Sequence, residues 1–165
     1  MKLPPFKPFP ELKTEKILLR EVTQKDIPLL LEILTYDGKA PETLGEGIEI
    51  INKIHQNYLD GDTINWLIED VDTLEPAGFI GYYRGFENGV GELGFILKPK
   101  FRGLGLMSSA LRLAVEFGMN EMKLNKVSAF TMPGNKNAIA VLSRNGFSPE
   151  AELVETYLKF VYLPE

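Results

Sequence analysis

Phe95-Ile96-Leu97-Lys98-Pro99-Lys100-Phe101-Arg102-Gly103-Leu104-Gly105-Leu106-Met107 is the stretch on which the reading of this chain turns. An apolar run ends at Leu97, a proline and two glycines interrupt it, and apolar residues then recur at helical spacing through Leu106, Ala110, Leu113, Ala114 and Phe117. The pattern is strand, loop and helix, with the helix read over residues 103–118. Amides at a helix start lack intrahelical acceptors and carry the positive end of the helix dipole, and glycine removes the β-carbons that would hold an anion away. The segment therefore suits a phosphate-bearing ligand. A dinucleotide fingerprint needs a third glycine where Ser108 stands, and a nucleoside triphosphate loop needs Gly-Lys-Ser/Thr, which is absent, so both alternatives fit poorly.

Upstream, Ile64 to Glu69, Ala77 to Phe86 and Val90 to Leu97 read as three antiparallel strands, the last two joined at Glu87-Asn88-Gly89. Before them, Ile48, Ile51, Ile54 and Tyr58 recur at helical spacing and Gly61 supplies a stop. Lys16 to Glu21 reads as a strand, and Thr23-Gln24-Lys25-Asp26 as a capping box opening a helix through Leu34. Downstream come a strand at Lys126 to Thr131, a helix at Asn135 to Asn145 and one or two strands within Pro149 to Leu163. This order predicts an α/β domain over residues 11–165, with a mixed, mostly antiparallel sheet flanked by helices. Residues 1–10, with Pro4, Pro5, Pro8 and Pro10, read as an extended arm laid across the domain through Phe6 and Phe9.

Composition removes whole classes of function. With no cysteine and one histidine, His55, the chain offers no disulfide, no thiolate nucleophile and no zinc set. A net charge of −5 argues against general nucleic-acid binding, so an anionic ligand must be held locally. Lys98, Lys100 and Arg102 cluster beside the loop, with Lys136 and Arg144 further on. No apolar run approaches the ~20 residues that span a bilayer, and the proline-rich start is not a secretory signal, so a cytoplasmic location is expected.

Three segments together resemble the GNAT superfamily of acetyltransferases. Arg102-Gly103-Leu104-Gly105-Leu106-Met107 is similar to the family's Gln/Arg-x-x-Gly-x-Gly/Ala, with Met107 departing at the last position. Asn135-x-x-Ala138-x-x-Val141-Leu142-x-Arg144-x-Gly146-Phe147 is similar to the Asn-x-x-Ser-x-x-Val-Leu-x-Lys-x-Gly-Phe of the subgroup acting on ribosomal-protein N-terminal alanine and serine, with alanine for serine. The opening Leu18-Leu19-Arg20-Glu21 through Asp26 also resembles that subgroup, and the likeness runs from about Leu12 to Tyr162.

The resemblance implies acetyl-coenzyme A as cosubstrate and a primary amine as acceptor, either a protein N-terminus or a small molecule. It implies a strand that splays from its neighbour, so that Phe95, Ile96 and Leu97 bind the pantetheine arm as an added strand would. It places the pyrophosphate on the loop amides of Gly103, Leu104, Gly105, Leu106 and Met107, with Arg102 also in the cofactor site, the pantetheine arm on Asn135, and the adenosine phosphate on Arg144 or the nearby lysines. Glu92 matches the family's general base, with Glu69 and Asp70 as weaker candidates. The thiolate acid is missing from both usual places, which hold Leu142 and Ala138, leaving Tyr157 or Tyr162 as substitutes. Trp66, Tyr82 and Tyr83 read as core aromatics or acceptor-pocket walls, and His55 as a surface residue. Glu42, Glu46 and Glu49 offer acid to a cationic acceptor. A homodimer through the terminal strands or the arm is admitted, and a non-catalytic acyl-coenzyme A-binding module is the alternative reading.

Overall fold

A computed structural model describes residues 1–163. One sheet runs in the order β1-β2-β3-β4-β5-β6-β8-β7. Its strands are β1 (Leu12–Lys13), β2 (Ile17–Arg20), β3 (Ile64–Asp70), β4 (Pro76–Tyr83), β5 (Val90–Leu97), β6 (Lys126–Thr131), β7 (Ser148–Val154) and β8 (Tyr157–Tyr162). Only β5 and β6 pair in parallel; the other neighbours are antiparallel. Helices α1 (Leu44–Leu59), α2 (Leu106–Glu116) and α3 (Lys136–Arg144) complete the fold. The expected mixed, mostly antiparallel sheet with flanking helices is the one observed.

Alternation along the central strands decides which helix covers which face. Ile64, Trp66 and Ile68 of β3 point into a core shared with Leu106, Ala110, Leu111 and Ala114 of α2, whereas Leu67 and Phe79 meet Ile50 and Ile51 of α1 on the other face. With both faces covered, β4 reads as a continuous apolar run. Tyr82 of β4 fastens α2: its ring is fully buried and its hydroxyl donates to the Ala114 carbonyl at 2.9 Å. Burial pushes that phenol far above its usual value, so it stays a neutral donor. A β-carbon on Gly91 would stand 2.7 Å from the Tyr82 ring, which is why the facing strand carries none.

Phe6 and Phe9 of the proline-rich segment pack against the core. Phe6 stands edge-on to Phe117, and Phe9 lies against Tyr58 and Trp66. The Tyr58 hydroxyl donates to the Phe6 carbonyl (2.9 Å) and accepts from the Phe6 amide (2.8 Å), while the Trp66 indole donates to the Pro10 carbonyl at 2.8 Å. Trp66 is therefore a core residue whose one polar edge is satisfied by the arm.

The helix expected from Asp26 to Leu34 does not form. A single 3₁₀ turn at Ile27–Leu29 is followed by tight turns in which Leu30 and Ile33 donate to carbonyls three residues back. Ile27, Leu30, Ile33 and Leu34 are nonetheless all buried, so the periodicity marked the right side chains and the wrong hydrogen bonds. The segment is wedged against α1 at Gly47, where a β-carbon would lie 2.8 Å from Leu31 and 3.0 Å from Ile27. The Thr23–Asp26 box is half present: the Thr23 amide and hydroxyl both donate to Asp26 Oδ2, at 2.8 and 2.9 Å.

Asp26 also accepts two hydrogen bonds from Arg20, both at 2.9 Å. Burial opposes its ionisation, but the guanidinium and the Thr23 donors outweigh burial and hold the carboxyl below its usual value. A depressed native value stabilises the fold above the unfolded value of about 3.9, and that contribution is lost as pH falls through the native value. Asp26→Asn should cost about 2 kcal/mol at pH 7. Urea titrations of both proteins should show the gap closing as pH falls below about 4; a gap independent of pH would remove Asp26 from the acid response.

Among the described residues no helix is long and apolar enough to cross a membrane, and no cluster of three His, Asp or Glu could hold a metal.

Candidate active site

The parallel pair carries the unusual feature. β5 meets β6 only at Val90–Lys126, Gly91–Val127 and Glu92–Ser128. From Leu93 to Leu97, β5 stays paired with β4 while β6 continues beside β8, so the two strands part. Five residues of β5 thus show a free backbone edge, about 16 Å long. Phe95, Ile96 and Leu97 lie on it, as the resemblance implied. A sheet interior rarely leaves such groups unpaired, and an extended ligand is the usual partner for them.

The free edge leads into the glycine loop. Phe101 is buried and anchors a 3₁₀ turn at Pro99–Phe101, and the Arg102 guanidinium folds back to donate to the Leu97 carbonyl at 3.3 Å. Gly103 (φ 77°) and Gly105 (φ 79°) then take left-handed conformations that bend the chain into α2. Gly105 caps the helix without a side-chain acceptor, and its first bond is Ser109 N to the Gly105 carbonyl at 3.3 Å. The amides of residues 103–108 have no backbone acceptor among the described residues. Leu104 and both glycines are exposed, whereas Leu106 and Met107 turn inward. The departure at Met107 is thereby explained: its side chain fills core, not cradle.

The second motif sits beside this loop. Asn135 is the N-cap of α3, its Oδ1 accepting from the Ala138 amide at 3.1 Å, and Arg144 is exposed in the last turn. Leu142, where some family members carry tyrosine, is fully buried. Sequence reasoning missed Asn145. Its Nδ2 donates to the Val141 carbonyl (2.6 Å) and to Ser108 Oγ (3.2 Å), tying the end of α3 to the first turn of α2. Its position beside Gly146 was the only signal.

Several expected basic groups are engaged elsewhere. Lys98 is buried with its ammonium 3.7 Å from Glu32, and Lys100 pairs with Glu75 and lies over the Phe101 ring.

A cleft of about 790 Å³ opens on the α1 face of the sheet, between β3, β4 and β5. Phe79, Tyr83 and Ile96 form apolar wall, and Asp37, Asp62, Glu87 and Glu92 bring carboxylates against one guanidinium, Arg84. Glu92 stands at the last β5–β6 pair and in the cleft wall at once. Its side chain is 26% exposed, with Oε1 3.3 Å from Arg84 Nη1. Tyr83 donates to Asn65 Oδ1 at 3.0 Å, and burial pushes its phenol above the ordinary value, keeping it a donor.

The remaining candidates are not brought to Glu92. Glu69 is bound by Arg20 Nε at 2.7 Å, and Asp70 caps a turn by accepting from Thr73 Oγ1 at 2.7 Å. Tyr157 is exposed at the start of β8, four residues from Val161, which pairs with Ser128; that is about 13 Å along the strand. Tyr162 packs on Phe147 at 5.6 Å. His55 lies 3.4 Å from Glu21 in a separate pocket of about 260 Å³. Glu46 caps α1, with Thr43 Oγ1 accepting its amide and Glu46 Oε2 accepting the Glu42 amide.

Known proteins are similar to this chain in sequence and in fold. A family model described as "Acetyltransferase (GNAT) domain" matches residues 16–148. An uncharacterized N-acetyltransferase, YoaA of Bacillus subtilis, is 26% identical over 153 residues, covering 88% of this chain and 86% of the relative. The spermidine N(1)-acetyltransferase of Escherichia coli (strain K12) is 32% identical over 66 residues, covering 40% of this chain and 36% of that protein. The solved structure of a putative ribosomal-protein-serine acetyltransferase from Vibrio cholerae superposes with a TM-score of 0.81 at 16% identity, covering 95% of this chain and 99% of that one. The last likeness is one of fold.

Proposed function

We propose, from the premise that the chain belongs to the GNAT acetyltransferase family and is an N-acetyltransferase, that its donor is acetyl-coenzyme A and that Glu92 receives the proton of the acceptor amine. The observation that carries this reading is the double position of Glu92, at the apex where β5 and β6 part and in the wall of the acidic cleft. Bound with its pantetheine arm along Leu93 to Leu97 and its pyrophosphate on the amides of residues 103–108, acetyl-coenzyme A supplies a thioester carbonyl for direct attack. The fit rests on two features of the chain, the unpaired strand edge and the uncapped helix start.

The residues then divide the work. Glu92 removes a proton from the incoming ammonium, directly or through water, since only the neutral amine is nucleophilic. Arg84 keeps that carboxylate oriented through its 3.3 Å contact. As nitrogen bonds to the carbonyl carbon and the carbon–sulfur bond breaks, nitrogen releases its second proton to solvent and the thiolate takes a proton from solvent, because Leu142 and Ala138 offer none. Four carboxylates facing one guanidinium favour an acceptor bearing more than one positive charge, as a polyamine does, over a peptide N-terminus.

The first test is a thermal melt with acetyl-coenzyme A, beside ATP and NADH. At a hundredfold excess over the dissociation constant, binding adds about 2.7 kcal/mol, raising Tm by about 5–10 °C for a domain of this size. A shift with acetyl-coenzyme A alone opens an amine screen read by thiol release; no shift sinks the donor assignment.

A further inference from the structure

Lys16 lies in the turn between β1 and β2, far in sequence from the glycine loop. Antiparallel steps from β2 through β3 and β4 to β5 bring the start of β2 to the end of the sheet where β5 finishes and α2 begins. There its ammonium stands 3.2 Å from the point that a Gly105 β-carbon would occupy. The lysine makes no ion pair among the described residues. Its backbone is fixed on both sides, the amide donating to Thr14 Oγ1 at 3.1 Å and the carbonyl accepting from Val71 N at 3.0 Å.

The two nearby lysines are paired with carboxylates, Lys98 with Glu32 and Lys100 with Glu75, and the Arg102 guanidinium is turned back toward the end of β5. The cradle itself offers six amides, which are partial charges only.

We propose that Lys16 is a ligand of the coenzyme A pyrophosphate, supplying from the start of β2 a full positive charge beside the amides of Gly105. This rests on the donor reading above. The ammonium flanks Gly105 at the cradle, so a pyrophosphate on the amides is met by a mobile point charge as well as by backbone N–H groups. Lys16 thus separates donors that carry a pyrophosphate from thioesters that do not.

The test pairs calorimetry on coenzyme A with turnover of S-acetylpantetheine, which has no pyrophosphate. Lys16→Ala should weaken coenzyme A binding about tenfold at low salt, with a smaller loss at high salt, and Lys16→Arg should recover most of it. The kcat/KM for S-acetylpantetheine should not change. Coenzyme A affinity within about twofold of wild type overturns the proposal, as does an equal loss with S-acetylpantetheine. A wild-type protein that fails to bind coenzyme A overturns the donor reading itself, and this ligand with it.

Discussion

Glu92→Gln lowers kcat by about 10²- to 10⁴-fold at neutral pH, the range for loss of a positioned general base, while the dissociation constant for acetyl-coenzyme A holds near its wild-type value. The substitution is nearly isosteric and keeps an oxygen for Arg84, so the apex geometry and the β5–β6 pairing remain. What it removes is proton acceptance. Raising the pH supplies more neutral amine from solution, so the deficit of the variant should shrink as pH approaches the pKa of the acceptor. Thiol release over a pH series, with calorimetry on the cofactor, reads both effects. Turnover close to wild type at neutral pH would take Glu92 out of the mechanism.

Gly105→Glu should cost at least about 100-fold in acetyl-coenzyme A affinity, or about 2.7 kcal/mol, and abolish the thermal shift. Two effects combine. The backbone at φ 79° disfavours any β-carbon by about 1–2 kcal/mol, which should appear as a lower Tm without ligand. The new carboxylate would stand beside the Lys16 ammonium and the free amides, taking the place of the phosphates. Gly105→Asn separates the two, since it adds a side chain that this conformation tolerates and carries no charge; it should keep most of the affinity that the glutamate loses. Equal cofactor binding by Gly105→Glu and wild type would mean that the loop is not the cradle.

Much of the frame was legible because local pattern and global packing agreed. The bounds of β5 and β6 follow from apolar alternation and its punctuation, and α3 from its asparagine cap. The segment after β2 failed for a physical reason. Its burial pattern satisfies a helix and a string of tight turns equally, and the choice was made by the wedge of Leu31 and Ile27 against Gly47, a contact no window of sequence contains. The same limit applies to the site. Glycines announce a phosphate loop, and Glu92 sits at a family position, yet Lys16 and Asn145 reach the loop from other elements. Charge alone pointed to Lys98 and Lys100, and the structure gives those to Glu32 and Glu75. Acid in the sequence near α1 pointed to Glu42, Glu46 and Glu49, of which Glu46 serves the helix cap, while the cleft wall carries Asp37, Asp62 and Glu87.

The parting of β5 from β6 also acts as a ruler. A strand edge on the border of a sheet would accept any extended chain, including another copy of the protein. This one lies inside the sheet, in the gap between β5 and β6, and is shut at the Glu92–Ser128 pair. An extended chain laid along this edge is bounded at the apex, where the two strands join. The free edge from the apex to Leu97 thus has a fixed length of about 16 Å, set by the register of β5 on its neighbours. On the proposed donor reading, where the thioester end lies is therefore set by backbone register before any side chain takes part.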